Sequence, residues 1–281
     1  MPSPYATVGY GLSSAASWGV GDFSGGVATK KANAFVVIAV AHFANVVLLV
    51  ALALLLHKPL PLMSEIGWAL LSGAVNGFAL SALYRSLSDG TMSIAAPVSA
   101  VLAATVPVIY SAVLQGLPKP VQLAGLILAL VGILLLSFPA GGVGRPKGLL
   151  LAALSGLGFG FFFIVMPKAT AHSYLWPFAA ARFASGFVAF VIVLASRARV
   201  AFAGRGLWIA LASGLFDLGG NFFFVAAAHS GRLDIAAVLS SLYPGTTVLL
   251  ARMLLKERVS RTQELGILVA LVAVAMIAKS Q

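Results

Sequence analysis

Apolar residues run along this chain in stretches of about 20, the length that carries a helix across the hydrocarbon of a bilayer, and short polar breaks separate them. The windows predict ten spans, near 5–29, 33–56, 65–88, 91–115, 121–138, 147–167, 174–196, 206–230, 234–255 and 262–279. The breaks carry turn chemistry, as in "HKPLPLMSE", "SDGT", "QGLPKP", "PAGGVGRPK", "RARVAFAGRG", "SGR" and "KERVSR", and none has room for a separate domain. Core helices of a soluble protein would be shorter and amphipathic. The fold class predicted is an all-α integral membrane protein.

The pattern also repeats. A shift of 141 residues lays "GLILALV" (125–131) on "GILVALV" (266–272), Gly73 on Gly214, Gly90 on Gly231, and Ile94-Ala95-Ala96 on Ile235-Ala236-Ala237. Ser14 meets Ser155, Trp18 meets Phe159 and Gly19 meets Gly160, and "AHFA" (41–44) meets "ARFA" (181–184) after a slip of one residue. The expected organisation is therefore two five-helix repeats, residues 1–140 and 141–281. Five is odd, so the second repeat enters the membrane from the opposite side, and such inverted halves around a midplane site are the architecture of alternating access.

Composition agrees with the pattern. Hydrophobic residues make up 60% of the 281 and charged residues 9%, too few for a water-facing surface. The formal charge is +11, but Lys and Arg gather in the breaks and form no basic stripe, which speaks against nucleic acid and for topology. Breaks 1–2, 3–4, 5–6, 7–8 and 9–10 carry twelve Lys and Arg, the opposite face five, so the positive-inside rule puts the first face in the cytoplasm and both termini outside. Cysteine is absent, which removes disulfides and thiolate metal sites. The opening "MPSPYATVGYG" has no basic n-region, so the first apolar run is expected to remain as a membrane helix. No cofactor or metal is expected, because the four histidines show no ligand spacing.

Polar residues within the spans are then the candidate site. Asp22 has Trp18, Gly19, Gly25 and Gly26 as helical neighbours, a wedge of small residues with an aromatic wall. A carboxylate at that depth must face protein or water. It is read as a cavity acid for a cationic group or a coupling proton; the plainer readings are a pair with Lys30 or Lys31, or a place near a helix end. Asp217 has Asn221 one turn on, with Ser213 and Gly214 on the same flank, and the third span repeats the motif as Gly73, Asn76, Gly77 and Tyr84, Asn76 lying close to Asp217 under the shift. Interhelical hydrogen bonding is the bland account of these polar faces. Arg182 and His42 occupy matching places in the seventh and second spans; the arginine is read as a partner for a substrate carboxylate, Asp217 or Asp22, or as snorkelling to an interface. Pro97 and Pro107 are expected to interrupt span four and Pro244 span nine, with Ser240, Ser241 and Tyr243 nearby as hydrogen-bonding groups. The triplets Phe161-Phe162-Phe163 and Phe222-Phe223-Phe224 offer an apolar lining, although most of these rings are expected to face lipid or packing neighbours.

Ten spans in two halves, with "SWG" in the first and "GFG" in the sixth, "ARF" in the seventh, and "LLKERVSRTQELGILVALVAVAMI" closing the chain, resemble the EamA-type branch of the drug/metabolite transporter superfamily over the whole length. The resemblance implies a carrier that moves a small metabolite, amino acid or drug through a cavity lined mainly by spans 1, 3, 4, 6, 8 and 9. With no P-loop in the sequence, a proton or solute gradient is the expected energy source. The expected partners are a small-molecule substrate, protons and the lipid bilayer, in a bacterial plasma membrane. Two other classes stand beside it: a membrane-embedded enzyme acting on a lipid or isoprenoid, which would cluster acids or histidines at one face, and a channel, which would need polar rings.

Overall fold

The computed structural model describes residues 5–29, 32–89, 92–137, 148–202, 204–256 and 259–279. These form helices only: α1 (Ala6–Thr29), α2 (Ala34–Leu55), α3 (Met63–Asp89), α4 (Met92–Gln115), α5 (Pro120–Ser137), α6 (Leu149–Ala169), α7 (Leu175–Ala195), α8 (Gly206–Ser230), α9 (Leu233–Ser240), α10 (Tyr243–Leu255) and α11 (Arg261–Lys279). α9 and α10 are two pieces of the ninth span, so ten spans are present and each begins and ends within about two residues of its expected place, as the boundary scatter of helix ends allows. Among the described residues nine spans are long and apolar enough to cross a membrane. α1 is the tenth: its serines, glycines and Asp22 dilute its apolar character, and it packs between α8 and α9–α10.

Local chemistry sets the ends. Asn33 caps α2, its side chain accepting from the Phe35 N–H at 2.9 Å. α5 and α11 open alike: the Gln122 side chain accepts from the Lys119 N–H, and the Gln263 side chain from the Ser260 N–H at 3.1 Å. Both are the reach-back half of a capping box, and the two glutamines are 141 residues apart.

The packing carries the same symmetry. A side chain at Gly125 would press on Ile277, and one at Gly266 on Leu136; Gly73 sits against the backbone of Ala181, and Gly214 against Ala41. Each pair becomes the other when the halves are exchanged. The helix pairings follow suit: α1 with α8 exchanges with α3 with α6, while α2 with α7 and α5 with α11 map onto themselves. The absence of side chains at these glycines is what lets the backbones touch, since lipid gives helices no hydrophobic reason to associate and close packing must hold them.

Two mixed packets result. α1 is wrapped by α8, α9 and α10, and α6 by α3 and α4, so each packet contains helices of both halves. α4 and α9 join the packets to each other, and the pairs α2·α7 and α5·α11 flank them.

The ninth span breaks at Ser241 and Leu242, ahead of Pro244. Pro244 lies in the first turn of α10, where a missing N–H removes no helical bond. At Pro107, another expected kink, α4 stays helical without a break. The Pro97 side chain lies outside the described residues.

Candidate functional site

A cavity of about 340 Å³ lies between the two packets. Trp18, Asp22, Asp217 and Tyr243 face it from the α1 packet, and Asn76, Ala103, Phe159 and Phe162 from the α6 packet. It extends past Gly25 to Thr29 at the end of α1, to Val37 near the start of α2 and to Leu83 in the last turns of α3, so it reaches the face that carries breaks 1–2 and 3–4.

The opposite face is stitched shut. Glu65, 4% exposed, accepts from the Leu62 N–H, from the His172 N–H at 3.1 Å and from His172 Nδ1 at 2.9 Å. Trp176 Nε1 donates to the Lys58 carbonyl, His229 Nε2 to the Pro167 carbonyl at 2.9 Å, and Arg232 to the Gly116 carbonyl at 2.9 Å. The bonds of Glu65 with His172, Trp176 with Lys58 and Arg232 with Gly116 join one half to the other, while that of His229 with Pro167 ties the ends of α8 and α6 within the second half. Arg232 also pairs with Asp234, which is fully buried. Glu65 and Asp234 each stand beside a helix start, where in the sequence an acid reads only as a cap; their partners come from the fold.

At the inner end of the cavity three polar groups meet. Arg182 Nη1 lies 3.0 Å from His42 Nε2 and forms an ion pair with Asp217 Oδ2, and His42 Nε2 is 3.8 Å from the same oxygen. Arg182 and His42 are 5% and 4% exposed, so the arginine does not snorkel to an interface, while the Asp217 side chain keeps 37% of its surface. His42 and Arg182 are counterparts in the two halves. Counterparts that touch each other must straddle the axis relating the halves, so the cluster lies on the centre line of the fold. Arg182 Nη2 and His42 Nδ1 have no hydrogen-bond partner among the described residues, and a second void of about 10 Å³, lined by Arg182, Ser185, Asn76 and Asn221, adjoins the arginine. That is room for about one water molecule.

Trp18 braces the other side. Its ring lies 5.5 Å from Phe163 and 5.9 Å from Phe224, both stacked, and 6.4 Å from Tyr243 edge-on, and its Nε1 donates to the Asp217 carbonyl at 3.2 Å. Gly220 makes room for the indole, which a methyl group there would overlap. Asn221 Nδ2 donates to the same carbonyl at 2.6 Å.

Asp22 lies one turn from Trp18, exposed to the cavity, with no hydrogen bond or ion pair among the described residues. Lys30 and Lys31, its alternative partners, lie outside those residues, as does the Tyr84 side chain. Ser240 is buried against Gly11 and does not face the cavity; Ser241 does. Phe162 and Phe163, expected to be mostly outward, are cavity walls, and Phe224 is buried behind them. Trp18, Asp22, His42, Asn76, Asp217, Asn221 and Tyr243 are thus brought to one cavity, and Arg182 to its wall.

The sequence profile of the EamA-like transporter family matches residues 6–138 and again 146–279. None of the curated proteins matches the chain. A solved structure described only as the crystal structure of a protein aligns with a TM-score of 0.80 over 98% of this chain and 96% of its own, at 18% identity, a likeness that speaks for the fold alone.

Proposed function

Because the chain belongs to the EamA-like transporter family, a family of the drug/metabolite transporter superfamily, we propose that this multi-pass membrane protein is a secondary carrier working by alternating access. Its solute is a small metabolite, amino acid or drug-like molecule. The observation that carries the reading is the central cavity, which extends to one face while interlocked loops close the other. A site between repeat-related packets can be exposed to either side by rocking them, which is how inverted repeats transport. The odd number of spans per half supports the inversion.

By the distribution of Lys and Arg, the cavity faces the cytoplasm and the termini lie outside, in the plasma membrane of a bacterium. Asp22 and Asp217 are the candidate carriers of a coupling proton. Family membership points away from the enzyme reading.

Counterflow in proteoliposomes tests the carrier. Amino acids, nucleosides, sugars and organic cations are each loaded inside, and uptake of labelled solute is measured. Trans-stimulation by at least one of them is expected; flux that never responds to the trans solute is the behaviour of a channel. Proton coupling further predicts that Asp22→Asn abolishes uptake driven by a pH gradient, and undiminished driven uptake removes Asp22 from the mechanism.

A further inference from the structure

The two carboxylates of the cavity are in different circumstances. Asp217 is neutralised: Arg182 is paired with it and His42 stands 3.8 Å away. Asp22 is exposed to the cavity with no such partner among the described residues. Among those residues no lysine or arginine lines the cavity itself, Arg182 being set back in the wall. Among the described residues, summing the charges of Asp22, Asp217 and Arg182 leaves one uncompensated negative charge, at Asp22. A low-dielectric chamber holding one such charge favours a cation and rejects an anion.

The walls describe the rest of the ligand. Phe159 and Tyr243 are half-buried rings on the cavity surface, and Ile38, Leu80 and Leu83 continue it toward the open face. Next to the carboxylate, Gly26 has nothing within 4 Å of where a side chain would begin, so a head group has space there. Ring faces attract an ammonium group and aliphatic walls take an apolar body. A tightly held inorganic cation would call for several converging ligands, and no group of three or more His, Cys, Asp or Glu side chains exists among the described residues.

We propose that the cavity binds a small organic monocation, an ammonium group on an apolar body, with Asp22 as its counter-ion and Phe159 and Tyr243 as its aromatic flank. This deepens the carrier reading and rests on it for its biological sense, although binding is measurable without transport. A cavity of about 340 Å³ admits such a molecule and excludes a two-chain lipid.

Three probes of one size and different charge provide the test: phenethylamine, protonated at neutral pH, phenethyl alcohol and phenylacetate. Equilibrium binding is measured on the purified full chain in nanodiscs. The amine is expected to bind about tenfold or more tightly than the alcohol, with phenylacetate unable to displace it. Asp22→Asn should erase the preference for the amine while leaving the alcohol's affinity in place, and Asp22→Glu should restore it. Equal binding of amine and alcohol by the unmodified protein, displacement by phenylacetate, absence of amine binding at millimolar concentration, or a preference that survives Asp22→Asn would each overturn the proposal. Counterflow with the labelled amine separates the two readings. Binding without trans-stimulation keeps the cation site and rejects the carrier; trans-stimulation by a neutral or anionic solute without amine binding does the reverse.

Discussion

A buried charge is dangerous to a fold in proportion to how well water can reach it, and the cluster at the cavity's inner end sets two such charges side by side. Arg182 is shielded and Asp217 is in contact with the cavity. Removing either leaves the other unpaired, with unequal consequences. Asp217→Asn strands a buried guanidinium and should destabilise the protein by about 3 kcal/mol or more, read as a large drop in the thermal midpoint in detergent. Arg182→Gln strands a carboxylate that cavity water can solvate, and should cost less. The double variant should be more stable than the sum of the two losses implies. A larger drop for Arg182→Gln than for Asp217→Asn would mean that the arginine is not the desolvated partner.

At the scale of elements, glycine decides which helices touch. Gly220 on α8 leaves space for the Trp18 ring of α1, and neither the stacked indole nor the helix backbone can yield easily. Gly220→Ala should lower stability by about 1–3 kcal/mol, the range for an overpacked core, and shift Trp18 fluorescence as the ring is displaced. Gly9→Ala, on α1 with Trp18 but with nothing within 4 Å, is the control and should leave stability unchanged or raise it slightly. The break between α9 and α10 works differently. It leaves the buried Ser241 hydroxyl without a hydrogen-bond partner among the described residues, beside Tyr243 on the cavity wall.

For the whole molecule, the moving bodies need not be the two halves of the sequence. Dense packing binds α1 to α8 and α6 to α3 and α4, each time across the halves, as it does in the flanking pairs α5·α11 and α2·α7. A rigid unit is defined by contacts, so rocking should occur between the mixed packets. The Ser99 and Ser155 hydroxyls, 3.1 Å apart, join α4 to α6 inside one packet. In this cysteine-free chain, a disulfide from Ser99→Cys/Ser155→Cys should leave counterflow intact. Bridging Tyr174→Cys to His229→Cys with a short bismaleimide, which ties the loop after α6 to α8 across the closed face, should abolish it. Reductant-reversible loss of transport in the first variant would show that the halves move as bodies instead.

The ten spans were readable from the sequence because lipid forces every spanning segment to satisfy its own backbone, which makes length and apolarity sufficient signals. The internal repeat was readable because the glycines that let helices touch recur at a fixed spacing, and Asp22, Asp217 and Asn221 stood out because polar groups are costly at that depth. Pairing was beyond the sequence. Nothing in it distinguishes Arg182 bound to Asp217 from Arg182 snorkelling, or Ser241 at the cavity from Ser240 against α1. Those outcomes depend on which faces of distant helices meet, and one helical step of 100° separates a wall from a core position. The exchange of helices between halves, and with it a chamber in which Asp22 alone among the described carboxylates has no ion-pair partner, is a property of the assembled bundle.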